Sequence, residues 1–213
     1  MSHASSVTNT FGNLDQIPTF QYDDLSGPSC IRLLRILPGK DGDIVQCQCS
    51  PFSFQGPRPE YTAISYTWGV VRYTELIVLN GKQHLTTKNA REVLEYMRCG
   101  DCQITIWIDA ICINQDSIPE RDSQVRLMGS IYSHAQQTMI WLGTAFNDSD
   151  MAIDFVPVIQ KALDILEESG EVTDKLLLEA TASDAKSPQW QALQRLLVRP
   201  WFQRIWVIQE VTL

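Results

Sequence analysis

Residues Ile104–Asp116 read ITIWIDAICINQD, and this stretch decides the fold. Ile104, Ile106 and Ile108 alternate with Thr105 and Trp107, and every residue but Thr105 is apolar. A strand of that kind is covered on both faces, which suits a parallel sheet, since antiparallel sheets commonly leave one face wet. At Asp109 the run starts to turn polar, and NQDSIPERD (Asn114–Asp122) reads as a turn. Val125, Met128, Ile131, Tyr132 and Ala135 then fall on one helical face, and TMIWLG (Thr138–Gly143) reads as another buried strand. Strand, loop, helix and strand make a βαβ crossover, the unit of an α/β fold.

Upstream, IRLLRILPG (Ile31–Gly39) is a strand stopped by Pro-Gly, and DIVQCQC (Asp43–Cys49) alternates like a returning strand. The pair is expected to form a hairpin. In YTAISYTWG (Tyr61–Gly69), Ala63, Ile64, Tyr66 and Trp68 make a strand that Gly69 ends. Asn80-Gly81, inside ELIVLNGKQHLTT (Glu75–Thr87), predicts a second hairpin with a type I′ turn. Thr87 or Asn89 caps a helix through Arg98, with Ala90, Val93, Leu94 and Met97 facing a core. Residues 1–29 are expected to be a flexible N-terminal arm, and residues 30–213 a single domain.

Downstream, residues 144–198 are helical in pattern and read as an insertion. Pro157 argues against a straight helix starting as early as Met151. Ser187-Pro188 is a cap followed by proline at the first helical position. The last block, RPWFQRIWVIQEV (Arg199–Val211), puts Trp206 and Glu210 four residues apart, on one face of a helix.

Composition closes several options. A 213-residue chain with 44% hydrophobic and 20% charged residues supports one sizeable globular core. A net charge of -8 argues against nucleic acid, whose binders cluster Lys and Arg against phosphate. No apolar run approaches membrane length and the first residues carry no apolar signal segment, so a cytoplasmic protein with reduced thiols is expected. The six cysteines read as small apolar filler. Cys47-x-Cys49 with Cys99-x-x-Cys102 lacks the usual spacing of a four-thiolate zinc site, and no metal or cofactor is expected.

The blocks match a known pattern in wording and order. Ile31–Gly39, Ser65–Gly69, Trp107–Gln115, Gln124–Ala135 and Arg199–Glu210 resemble the HET domain of fungal heterokaryon incompatibility proteins, over nearly the whole chain after the arm. The resemblance implies a part in nonself recognition, in which contact between incompatible cells triggers programmed cell death. A more distant similarity joins HET domains to TIR domains, many of which cleave nicotinamide from NAD+. AIS (Ala63–Ser65), WID (Trp107–Asp109) and WVIQEV (Trp206–Val211) follow the TIR order, with the same tryptophan-to-glutamate spacing. What this implies is a TIR-like, flavodoxin-like α/β fold, a mostly parallel sheet flanked by helices, carrying an added N-terminal β-hairpin region and the helical insertion. It also implies Glu210 as the catalytic residue. Val207 stands where the TIR pattern has cysteine, and the chain ends three residues past Glu210, as expected of a cut longer protein or a short natural form.

The chemistry needs little. Breaking the ribose–nicotinamide bond develops positive charge on the sugar while the leaving group is already cationic, so one carboxylate suffices. Ligands of open parallel sheets bind beyond the carboxyl ends of the strands, where Ser65, Tyr66, Trp68, Gly69, Asp109, Asn114 and Gln115 fall. With Trp206 they form the expected substrate-binding set for NAD+, with Trp68 as the stacking ring. Each has a plainer reading: Glu210 as an exposed helix carboxylate, Asp109 as a cap, Trp107, Trp141 and Trp206 as core. Two functions follow: a TIR-like NAD+ glycohydrolase gated by self-association, or a non-enzymatic death-signalling module that assembles with copies of itself. An incompatibility partner protein is expected under either.

Overall fold

A computed structural model of the chain describes residues 17–56, 60–169, 172–181, 184–205, 207 and 210. These divide into two units, one formed by the residues up to Trp141 with Val207 and Glu210, the other by Leu142–Ile205. The first unit holds a seven-stranded sheet flanked by helices, an α/β architecture.

The strands are β1 (Cys30–Ile36), β2 (Gln46–Ser53), β3 (Thr62–Tyr66), β4 (Glu75–Leu79), β5 (Lys82–Thr86), β6 (Ile104–Trp107) and β7 (Gln137–Trp141), in the spatial order β5-β4-β2-β1-β6-β3-β7. Three parallel pairings, β6–β3, β3–β7 and β2–β4, share the sheet with three antiparallel ones, β1–β2, β1–β6 and β4–β5. The expected parallel environment of β6 therefore holds on one edge, where Ala63 pairs with Trp107. On its other edge lies antiparallel β1, with Leu34 against Ile106. Ile106, Trp107 and Ile108 are fully buried, as the apolar run requires.

Both expected hairpins form. β1 and β2 pair from Cys30↔Ser53 to Ile36↔Cys47. Between β4 and β5, Asn80 (φ 53°) and Gly81 (φ 75°) both take the left-handed region, the signature of a type I′ turn. The Asn80 amide also clamps β2, donating to Cys49 O and accepting from Cys49 N, each at 2.8 Å. Helix α1 (Lys88–Met97) starts at Thr87, whose hydroxyl accepts from Ala90 N, and ends at Arg98.

The crossover from β6 to β7 departs from the sequence reading in detail. A short helix α2 (Asp109–Cys112) leaves β6, the expected turn forms at Asn114–Ser117, where Ser117 N donates to Asn114 O at 3.2 Å, and α3 (Ile118–His134) then begins with Ser117 accepting from Glu120 N. Proline at the second helical position lacks an N–H that the first turn would leave unpaired anyway, so Ile118–Asp122, expected as part of the turn, is instead the start of the helix. α3 is tied to β3 by the phenol of Tyr132, which donates to Ile64 O at 3.0 Å, and by that of Tyr61, which donates to Ile131 O. β7 is not the buried strand its composition predicts. Among the described residues it ends the sheet, pairs only with β3, and leaves Ile140 41% exposed.

Residues 17–29, assigned to the arm, make specific bonds. Phe20 N donates to Gln83 O at 2.7 Å, Gln83 N to Pro18 O at 2.9 Å, and the Tyr22 phenol to Ile111 O at 2.9 Å. Residues 1–16 lie outside the described residues. Cysteine reading needs correction at one place: Cys99 and Cys102 are joined as a disulfide in the exposed loop between α1 and β6, whereas Cys30, Cys47, Cys49 and Cys112 are buried free thiols. Burial pushes Cys47 up to about 12 and Cys49 up to about 11, which keeps both as neutral filler.

In the second unit, α4 (Ser149–Ser169), α5 (Asp174–Ala180) and α6 (Pro188–Leu197) precede a 3₁₀ turn at Pro200–Gln203. α4 starts at Ser149 and continues through Pro157, where a break was expected. A mid-helix proline costs ~3 kcal/mol in isolation. Here the turns before it are held by packing, with Ala152 fully buried against Ala192 and Leu196 of α6 and with Phe155 edge-on to Trp190 at 5.2 Å. Among the described residues, no helix is long and apolar enough to cross a membrane.

Candidate functional site

Because β3, β6 and β7 are mutually parallel, their carboxyl ends share one edge of the sheet. Ser65 is the penultimate residue of β3, and Asp109 follows β6 by two residues. The pairing Ala63↔Trp107 sets them at the same level.

Ser65 is fully buried, and its hydroxyl donates to Glu210 Oε2 across 145 residues of sequence. Glu210 is itself only 2% exposed, so the reading of it as an exposed helix carboxylate fails. A buried carboxylate is costly without hydrogen-bond donors, and Ser65 supplies one. Trp206, the other residue of that face, lies outside the described residues.

Asp109 forms a second, separate cluster. Its Oδ2 accepts from Trp68 Nε1 at 2.8 Å, its Oδ1 from Ala110 N at 2.7 Å, and its carbonyl from the Gln115 amide at 2.9 Å. The carboxylate thus bonds the N–H of the next residue in the first turn of α2 and holds the indole edge of Trp68, whose body packs against the main core. Tyr66 is buried at the end of β3, opposite Trp141. Gly69 takes φ +70°, and a β-carbon there would come within 2.9 Å of the Asn89 amide. That amide is fixed by donating to Thr67 O at 2.7 Å, so a β-carbon there would have to displace it, and with the positive φ this favours glycine.

Asn114 and Gln115 line a cleft of about 400 Å³. Burial in its wall lowers the pKa of His84 to about 4, so the imidazole is neutral at physiological pH. The predicted set is therefore distributed over three places: Ser65 with Glu210, Trp68 with Asp109 and Gln115, and Asn114 with Gln115 on the cleft.

Sequence reasoning missed the residue that organises the loop after β6. Arg32, in the middle of buried β1, makes a two-pronged pair with Glu120, Nη1 to Oε1 at 2.5 Å and Nη2 to Oε2 at 3.1 Å. It also donates to Cys112 O at 3.2 Å and Asp23 O at 2.6 Å, and lies 4.9 Å above the Tyr22 ring. Glu120 Oε1 accepts from Asn114 N at 2.7 Å in addition. The available signal was an arginine in the apolar run IRLLR, which burial obliges to find a carboxylate, and a glutamate three residues after a capping serine.

Residues 61–210 match the family described as Heterokaryon incompatibility protein (HET). The chain is also 34% identical, over 255 aligned residues, to heterokaryon incompatibility protein 6, OR allele, of Neurospora crassa. That alignment takes in 99% of this chain and 35% of the relative, so the chain spans about a third of the relative's length. No solved structure matches.

Proposed function

The chain belongs to the heterokaryon incompatibility family, and from that premise we propose that it is a fungal nonself-recognition domain whose activity hydrolyses NAD+ and so kills the cell. The observation that carries this reading is the Ser65–Glu210 pair. Two blocks far apart in sequence bring a hydroxyl and a carboxylate together at the carboxyl end of a parallel strand, within a sheet type that binds ligands at that edge.

In the proposed reaction the glycosidic C–N bond breaks, nicotinamide leaves with the bonding pair, and water adds to the ribose carbon with loss of a proton. NAD+ and water give ADP-ribose, nicotinamide and a proton. The Glu210 carboxylate stabilises the oxocarbenium-like centre, and its charge is worth most where water is excluded. Ser65 orients the carboxylate in the resting state and yields to the ribose hydroxyls when substrate binds. Self-association, in the cytoplasm and with an incompatibility partner as trigger, opens the pair.

A second reading is favoured by the same burial. A glutamate 2% exposed and already bonded to Ser65 meets no substrate, and the domain then signals by assembling with copies of itself. The test is to incubate the protein with NAD+ and follow free nicotinamide for wild type and Glu210→Gln, with assembly monitored by light scattering. Release by wild type and loss in the variant support the enzyme. An assembled, folded wild type that releases none leaves the assembly module.

A further inference from the structure

The cleft beside Asn114 and Gln115 has walls of opposite chemistry. One is aromatic: Phe20, Tyr22 and His84 meet edge to face, with centroids 4.9 Å apart for the first two and 5.8 Å from each to His84. The other is polar, built from Asn114, Gln115 and Asp116.

Both walls are held in place. Backbone bonds between Phe20, Gln83 and Pro18, and the Tyr22 phenol on Ile111 O, fix the aromatic side. Glu120 fixes Asn114 through its amide N–H, and Gln115 is tied to Asp109 O. Tyr73, which also lines the cleft, feels the charges of Asp116, Asp109 and Arg121, and Ala110, which bonds Asp109, lines it too, so the cleft adjoins the Trp68–Asp109 cluster.

The volume of about 400 Å³ falls in the range of small-molecule sites. The described lining residues include no lysine or arginine, and Asp116 contributes negative charge, so a phosphate would be repelled from the interior. Neutral His84 adds no cation. A flat ring suits the aromatic wall, while amides and a carboxylate match amino and hydroxyl groups.

We infer that this cleft binds a nucleoside, the uncharged base-and-ribose end of a nucleotide. Neither Ser65 nor Glu210 lines it, so in a dinucleotide it takes the end that is not cleaved, the adenosine end of NAD+, an identification that rests on the reading above. The phosphates then lie outside it.

The test is a calorimetric titration of the whole chain with adenosine and with AMP, for wild type, Phe20→Ala and Leu85→Trp. Leu85 lines the cleft and is 50% exposed, so a larger ring there fills the mouth without disturbing the core. Saturable adenosine binding, AMP no tighter than adenosine, and at least tenfold weaker binding in Leu85→Trp at unchanged melting temperature are expected. Absence of saturation, equal affinity in wild type and both variants, or AMP at least tenfold tighter would overturn the inference. Nicotinamide release in the same samples separates the two proposals. Binding without release removes the NAD+ chemistry and leaves the nucleoside site. Release without adenosine binding, and with KM for NAD+ unchanged in Leu85→Trp, removes the site and leaves the chemistry.

Discussion

Two carboxylates stand at one edge of the sheet, and they differ in where their partners come from. Asp109 is held by Ala110 and Gln115 of its own loop and by the indole of Trp68, while the Glu210 carboxylate meets Ser65 from 145 residues away. Bonds to Ala110, Gln115 and Trp68 make Asp109 a device for shaping the loop that leaves β6. The long-range bond makes Glu210 a charge delivered to a prepared place. Of two acids at the mouth of one fold, Glu210 is the one whose burial against Ser65 the proposed chemistry draws on.

That contrast breaks most visibly in activity. Glu210→Gln keeps the side chain's shape and its acceptor for Ser65 but removes the charge. Nicotinamide release should fall on the order of 10³-fold, as when a preorganised electrostatic group is lost. Asp109→Asn keeps an acceptor for the Trp68 indole and should lower release by no more than about tenfold. Comparable losses in both variants would erase the distinction between them.

The loop that carries Asp109 has a deeper support, and removing it tests whether shaping is separable from chemistry. Arg32→Met strands a mostly buried Glu120, and uncompensated buried charges of this kind cost roughly 3 kcal/mol or more. Denaturant unfolding should show the midpoint falling by the equivalent amount. The double change Arg32→Met with Glu120→Leu should recover part of the loss, since the pair's removal leaves no orphan charge. A double variant less stable than either single one would contradict that account.

His84 sharpens the comparison through pH. Its folded pKa is lowered to about 4 by burial, whereas the unfolded imidazole takes a proton near 6.5. Between those values the unfolded chain binds more protons, so this contribution is fully present above about 6.5 and is lost as pH falls toward 4. The difference is about 2 kcal/mol after allowing for partial exposure. Urea midpoints at pH 7 and pH 4.5 should differ less for His84→Gln than for wild type. Equal differences would place the titration elsewhere.

Much of this was legible because local chemistry and tertiary context agreed. The Asn80-Gly81 turn, the Thr87 cap and the buried β6 each follow from a few adjacent residues. Legibility failed where a distant neighbour decided. The identity of β1 as the antiparallel neighbour of β6, the edge position of β7 and the pairing of Arg32 with Glu120 depend on residues that no local window contains. Pro157 belongs with these, since its helix is held by α6. For the site, sequence named both acids, and the fold added that Asp109 bonds Trp68 and Ala110 while Ser65 donates to Glu210.

The smallest expected effect concerns the turn that supports the aromatic wall near His84. Gly81 takes φ +75° with open space around it, so an alanine there meets backbone strain and no clash. The left-handed region costs an L-residue roughly 1 kcal/mol, and Gly81→Ala should lower stability by that amount. Gly69→Ala pays the same strain and in addition collides with the Asn89 amide beside Trp68, so its loss should be larger. Melting temperatures of the two variants therefore read the crowding around Trp68 and Asp109 directly. Equal shifts would mean that the Asn89 amide yields, and that the loop beside Asp109 is less firmly shaped than its hydrogen bonds imply.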